Sequence, residues 1–332
     1  MSESITFTQA YNRALDEAMA ADPNVILLGE DIGEKEGGGV FKVTAGLGHK
    51  HGLERVRTTP ISEQVIVGAA IGASLVGMKP VAEIMLMNFV TVAMDQIVNH
   101  AAKLRFMSGG QTNVPITIRT RTGAGMSAAG QHSDMLEAWF CHTAGIKVVI
   151  PSSPADAVGL LRACIEDPDP CLFIEDALTR AVKGVAPDAN HILPLGKAHV
   201  EREGTDVSFI SYGRPLQDMR KLVDGLAEDG ISVEIIDLRT VSPLDTDTIV
   251  SSVNKTGRAV IAHEAVRSFG VGAEVAARIQ EHCFKNLKAP ILRVASKDCA
   301  VPFARKLEQE FLYKGSDIEA AIRQTIAEDI SR

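Results

Sequence analysis

Short apolar runs alternate along the chain with longer stretches whose apolar residues return every three or four positions. The runs at 25–30, 55–59, 80–85, 114–119, 147–150 and 171–175 are rich in β-branched residues and predict strands buried on both faces. Between them, 62–76, 90–107, 134–141 and 155–165 predict helices. Strand and helix in regular alternation predict a parallel sheet covered on both sides. The helix from 62 contains GAAIGASLVG at 68–77, with small side chains at intervals of about four. Such a helix can lie close to neighbouring backbone, as a buried central helix would.

The alternation fails over 181–200, which has no clear period and contains Pro187 and Pro194. This stretch is the expected linker between a first domain, 1–180, and a second, 201–332. Strands at 207–212, 233–238, 259–263 and 291–294 then alternate with helices at 216–228, 245–252, 271–281 and 317–327. The predicted fold class is α/β, with two parallel-sheet domains, a size that 332 residues accommodate.

Composition narrows the function. A net charge of −8, with no run of Lys or Arg, argues against a nucleic-acid partner. No apolar stretch reaches the roughly 18 residues of a membrane span. The N-terminus carries acids early and lacks a basic-then-apolar signal, so a cytoplasmic protein is expected. The five cysteines are scattered without metal-ligand spacing and read as reduced thiols. The chain has no G-x-x-x-x-G-K-[ST] phosphate loop, no G-x-G-x-x-G after its first strand, no H-E-x-x-H and no G-x-S-x-G.

Three segments carry candidate chemistry. In TTPISEQ, Ser62 and Glu63 read either as an N-cap with a first-turn acid or as a carboxylate desolvated at the mouth of an apolar helix. In RTRTGAGMSAAGQHSD, three glycines precede His132, which is either a loop anchor or a histidine tuned for proton transfer by a following helix N-terminus. In MLMNFVTVAMDQIVNH, Met85 and Phe89 read as core or as walls for a flat heteroaromatic ring.

Taken in order, GEDIGEKEGGG, RVRTTPISEQ, KPVAEIMLMNF, MDQIVNHAAKLRFMSGGQ, VPITIRTRTGAG, AAGQHSD, KVVIPSSPADAVGLL, DPDPCLFIE, IDLRTVSPLD and FGVGAE resemble one family along essentially the whole chain. It is that of the β subunits of thiamine-diphosphate-dependent 2-oxo-acid and acetoin dehydrogenases. The resemblance implies a pyrimidine-binding domain followed by a transketolase C-terminal domain. It also implies an α2β2 heterotetramer in which the α subunit holds the diphosphate and Mg2+, which would account for the missing phosphate loop. The implied reaction is oxidative decarboxylation of pyruvate or a related 2-oxo acid, with acyl transfer to the lipoyl group of a dihydrolipoamide acyltransferase. Acetoin cleavage by the same machinery and a non-catalytic scaffold of the same fold stay open. A single-chain transketolase would need a GDG motif that this chain lacks.

By position, Glu63 matches the glutamate that bonds the pyrimidine ring nitrogen of thiamine diphosphate, and Phe89, with Met85 beside it, matches the aromatic that stacks on that ring. Glu30 matches an acidic position lining the passage between paired sites. His132 matches the active-site histidine that approaches substrate and lipoyl. QHSD stands here where pyruvate-type members read QHSQ, so Asp134 adds a negative charge near His132. Ile116, Cys164, Asp167 and Asp169 match a monovalent-cation (K+) site of some members.

Overall fold

Burial of all five residues from Val25 to Gly29 makes this strand, β1, part of a sheet interior. In this computed structural model, which describes residues 3–328, the chain groups into two units. One comprises Met1–Thr122 with Trp139–Leu195, and the other Gly123–Ala138 with Gly196–Arg332.

The first unit carries β1, β2 (Val56–Thr58), β3 (Lys79–Ile84), β4 (Thr117–Thr122), β5 (Lys147–Val149) and β6 (Cys171–Asp176). They lie in the order β5-β6-β4-β3-β1-β2, and every pairing among them is parallel. Parallel neighbours need crossovers. Helix α2 (Glu63–Ser74) carries the chain from β2 to β3, and α3 (Pro154–Glu166) from β5 to β6. Preceding β1 is α1 (Phe7–Ala21), a helix absent from the sequence expectations. Its signals are a Thr6/Gln9 capping box and the buried stripe Phe7, Tyr11, Leu15 and Met19. That stripe packs with Leu160, Leu161 and Cys164 of α3 and with Leu27, Val81 and Phe173 of the sheet.

Several expected elements differ in outline, among them a strand and a helix of the first unit. The strand expected at 114–119 begins three residues later, because Val114 N–H bonds the Pro168 carbonyl at 3.1 Å and Ile116 lies outside the ladder. The helix expected at 90–107 is four pieces: helical turns at Met87–Val90 and Thr91–Ala93, a π-helical segment at Gln96–Ala101 and a last turn at Ala102–Met107.

In the second unit β7 (His199–Arg202), β8 (Val207–Ser211), β9 (Val233–Asp237), β10 (Ala259–Val266) and β11 (Leu292–Ser296) order as β11-β10-β8-β9-β7. Only β7 pairs antiparallel, at the edge. It starts inside the stretch read as linker, and Lys183–Val185 of that stretch pairs antiparallel with Ser4–Thr6. Helices α4 (Arg214–Glu228), α5 (Thr246–Thr256), α6 (Val271–Cys283), α7 (Arg305–Phe311) and α8 (Gly315–Ala327) complete the unit. Leu216, Met219, Val260, Ile318 and Ile322 are among its core residues. Gly123–Ala138, which carries His132, groups with this unit although it falls within residues 1–180. Among the described residues no helix is long and apolar enough to cross a membrane.

Candidate active site

In open parallel sheets, ligand sites form beyond the carboxyl ends of the strands. Four expected site residues lie there on neighbouring strands of the first unit: Glu30 follows β1, Glu63 opens α2 after β2, and Met85 and Phe89 follow β3. Glu30 is buried, and its carboxyl is pushed above the usual glutamate range by burial, then by the negative charges of Glu63 and Asp31. The nearby Ser62 backbone acts in the opposite, lowering direction, and Oε1 has no hydrogen-bond partner. Ser62 stands at the N-cap position, but its side chain makes no capping bond, so the expected serine cap is not formed. Glu63 is half-buried beside it.

Met85 and Phe89 are also half-buried, whereas Met87 and Val90 between and beside them are fully buried. The core reading fits the second pair; the first pair keeps apolar surface available. Across α2, Ile66, Val67, Ala70 and Ile71 are buried, but Val65 is 61% exposed, and a Cβ on Gly72 would meet nothing within 4 Å. This small-residue helix is therefore half-buried in its own chain, not the fully buried helix its composition suggests.

Beneath these residues lies a charged cluster that sequence reasoning missed. Arg119 is 3% exposed and bonds both Glu83 and Glu175. Burial works against its cation, but the two carboxylates outweigh burial and raise its pKa. Arg121 is 3.8 Å from Glu175 and lies 3.9 Å over the Phe41 ring. The available signal was charged residues inside otherwise apolar strands: VAEI, TIRTRT and FIED.

His132 belongs to the second unit, in the turn Gly130–His132, and is half-buried. The next helix begins only at Glu137. The expected helix at 134–141 thus loses its first turn, and His132 does not stand beside a helix N-terminus. Ser133 is buried and Asp134 half-buried.

Ile116, Cys164, Asp167 and Asp169 come together at the opposite, amino end of β4 and β6. The Ile116 carbonyl accepts the Cys171 N–H at 3.0 Å. Lys147 Nζ donates to Asp167 at 2.7 Å and Asp169 at 3.4 Å, and Arg105 donates to Asp169 at 2.6 Å. Burial alone would lower the Lys147 pKa, but the Asp167 hydrogen bond and charge raise it overall. Burial drives the Cys164 thiol well above its ordinary value. The two aspartates are thus already shared with cations of this chain. Cys164, Cys171 and Cys283 are buried, Cys141 is intermediate, Cys299 is exposed, and all five are free.

Comparison with known proteins agrees with the resemblance read from the sequence. The family "Transketolase, pyrimidine binding domain" matches residues 3–178, and "Transketolase, C-terminal domain" matches 196–318. The chain is 43% identical to the acetoin:2,6-dichlorophenolindophenol oxidoreductase subunit beta of Cupriavidus necator, over 98% of each chain. It is 42% identical to the 2-oxoisovalerate dehydrogenase subunit beta of Bacillus subtilis, over 96% of this chain and 98% of that one. Identity to the pyruvate dehydrogenase E1 component subunit beta of the same organism is 43%, over 97% and 98%. Among solved structures, a split-gene transketolase described as an inactive beta4 tetramer shares the fold, with a TM-score of 0.79 and 22% identity over 98% of this chain and 99% of that one. The chain belongs to the family of transketolase-like β subunits that includes those of the pyruvate, 2-oxoisovalerate and acetoin enzymes.

Proposed function

We propose that this chain is the β subunit of a thiamine-diphosphate-dependent 2-oxo-acid dehydrogenase, active only with an α subunit. The observation that carries this reading is the Glu30–Glu63 pair. Two acids share one edge of the sheet, and one of them is buried, raised in pKa and has an unpartnered oxygen. An amine-bearing heteroaromatic ring with a basic nitrogen suits that arrangement, and Met85 and Phe89 supply apolar flanks for its faces. Thiamine diphosphate, when bound, supplies a carbon nucleophile and an electron sink. Glu63 would hold the pyrimidine nitrogen and share its proton, and Glu30 would favour the protonated form of that pair.

His132 would serve acyl transfer. Loss of CO2 leaves two electrons, which reduce the lipoyl disulfide; one sulfur takes the acyl group and the other takes a proton from His132. The exposed apolar side of α2, with Val65 and the open Gly72, suits burial against another subunit. An α2β2 assembly, in which α holds the diphosphate and Mg2+, and a lipoyl-bearing acyltransferase core are the partners of this reading. For K+, such a site would be built largely from backbone carbonyls, and that of Ile116 keeps a second lone pair, while Lys147 holds the side chains of Asp167 and Asp169.

Acetoin cleavage is the second reading, favoured by the relative from Cupriavidus necator and by the departure at Asp134. The assembled enzyme assayed on pyruvate, 2-oxoisovalerate and acetoin separates the two. Glu63→Gln keeps the shape but cannot share the proton, so turnover should fall roughly a hundred-fold or more with folding unchanged. Full activity in that variant would remove Glu63 from the chemistry.

A further inference from the structure

The segment Gly123–Ala138 holds an unfavourable backbone. Gly123, Gly125, Ser127 and Ala129 all have positive φ, and Ser127 (+55°) and Ala129 (+61°) have a Cβ that disfavours it. Such residues persist only where surrounding contacts over-determine them, and they gather at functional sites.

Here those contacts are carboxylates of the second unit's own body. Glu308, on α7, is 1% exposed and spans two backbone donors: Gly125 N–H reaches Oε1 at 2.7 Å and Ser127 N–H reaches Oε2 at 2.9 Å. Glu264, on β10, is 3% exposed, accepts Ala124 N–H at 2.8 Å, and meets Arg214 Nε at 3.0 Å through its other oxygen. Ala124 packs with Val301 and Phe311. At the far end, Glu137 is fully buried and accepts the Tyr212 hydroxyl at 2.7 Å. The histidine therefore sits between two anchored ends.

We propose that Glu308, assisted by Glu264, is a positioning residue that clamps this segment so that His132 presents one geometry to the acyl acceptor. This rests on the reading of His132 as the group serving acyl transfer. The carboxylate is suited to the role because both of its oxygens accept. A glutamine keeps one acceptor but turns an NH2 toward the other N–H, and an alanine keeps neither.

The test uses the enzyme assembled with its α chain, carrying Glu308→Gln, Glu308→Ala or, as a control on the exposed side of α7, Glu310→Gln. Hydrogen exchange of 123–138 should accelerate about tenfold or more in the alanine variant, less in the glutamine variant, and not in the control. The kcat for transfer to lipoyl should fall in the same order, and further than dye-coupled decarboxylation, with KM for the lipoyl carrier nearly unchanged. Unaltered exchange in Glu308→Ala would overturn the clamp. Loosened exchange with undiminished lipoyl transfer would overturn its role in positioning. His132→Ala separates the underlying reading: if lipoyl transfer survives there, the role of His132 fails, while exchange still reports on the clamp.

Discussion

His263 should make the second unit acid-sensitive. Its ring is fully buried on β10 and stacks on Tyr212 at 6.4 Å. Gly270 and Gly272 close over it, since a Cβ on either would come within 2.6 Å of a ring atom. Neither ring nitrogen has a hydrogen bond of good geometry, although the nearby Ala265 backbone favours the cation. Burial first, and the charge of Arg293 last, bring its pKa from 6.5 down to about 4. A histidine depressed in this way stabilises the fold fully only above its unfolded pKa, and stability is lost as pH falls from 6.5 toward 4. Between pH 7.5 and 4.5 that loss is about 2.5 kcal/mol, at about 1.4 kcal/mol per pKa unit. The perturbation is His263→Gln, whose carboxamide does not titrate. Urea unfolding read by far-ultraviolet circular dichroism at several pH values should give the wild type a drop steeper than the variant's by that amount. Carboxylates contribute equally to both proteins, so parallel pH profiles would refute a neutral, buried His263.

The ion cluster of the first unit gives a second prediction: Arg119→Met leaves Glu83 buried without its cation and Glu175 with only the more distant Arg121, and should cost about 3–5 kcal/mol in the same unfolding assay. The deficit should narrow at acid pH, as the stranded carboxylates take up protons. On α2, Val65→Asp should change the stability of the isolated chain by no more than about 0.5 kcal/mol. It should nevertheless weaken assembly with the α subunit, measured by sedimentation at graded concentrations; unaltered assembly would take this face out of the interface.

Legibility in the sequence followed locality. Glu63 and Phe89 stand in motifs with a local period, TTPISEQ and MLMNF, and their strands and helices declare themselves by burial pattern. The pairing of Glu63 with Glu30 was less visible, because it joins the ends of two strands 33 residues apart in sequence. Arg119 looks like an ordinary strand residue in sequence because its charge is compensated by residues on the neighbouring strands β3 and β6, partners that no local window contains. The sequence puts His132 just before a helix at 134–141, yet the chain turns through Gly130–His132 and delays the helix to Glu137. The anchors of that segment, Glu264 and Glu308, lie 140 and 183 residues beyond their backbone partners Ala124 and Gly125.

The central claim is that this chain holds half of a thiamine diphosphate site, and its native composition tests that most directly. The protein isolated untagged from its own source should appear in equal amounts with a second chain, and thiamine diphosphate should bind the pair but not this chain alone. A homo-oligomer of this chain that turns over with thiamine diphosphate unaided would contradict the claim, because the diphosphate-binding half would then lie within these 332 residues.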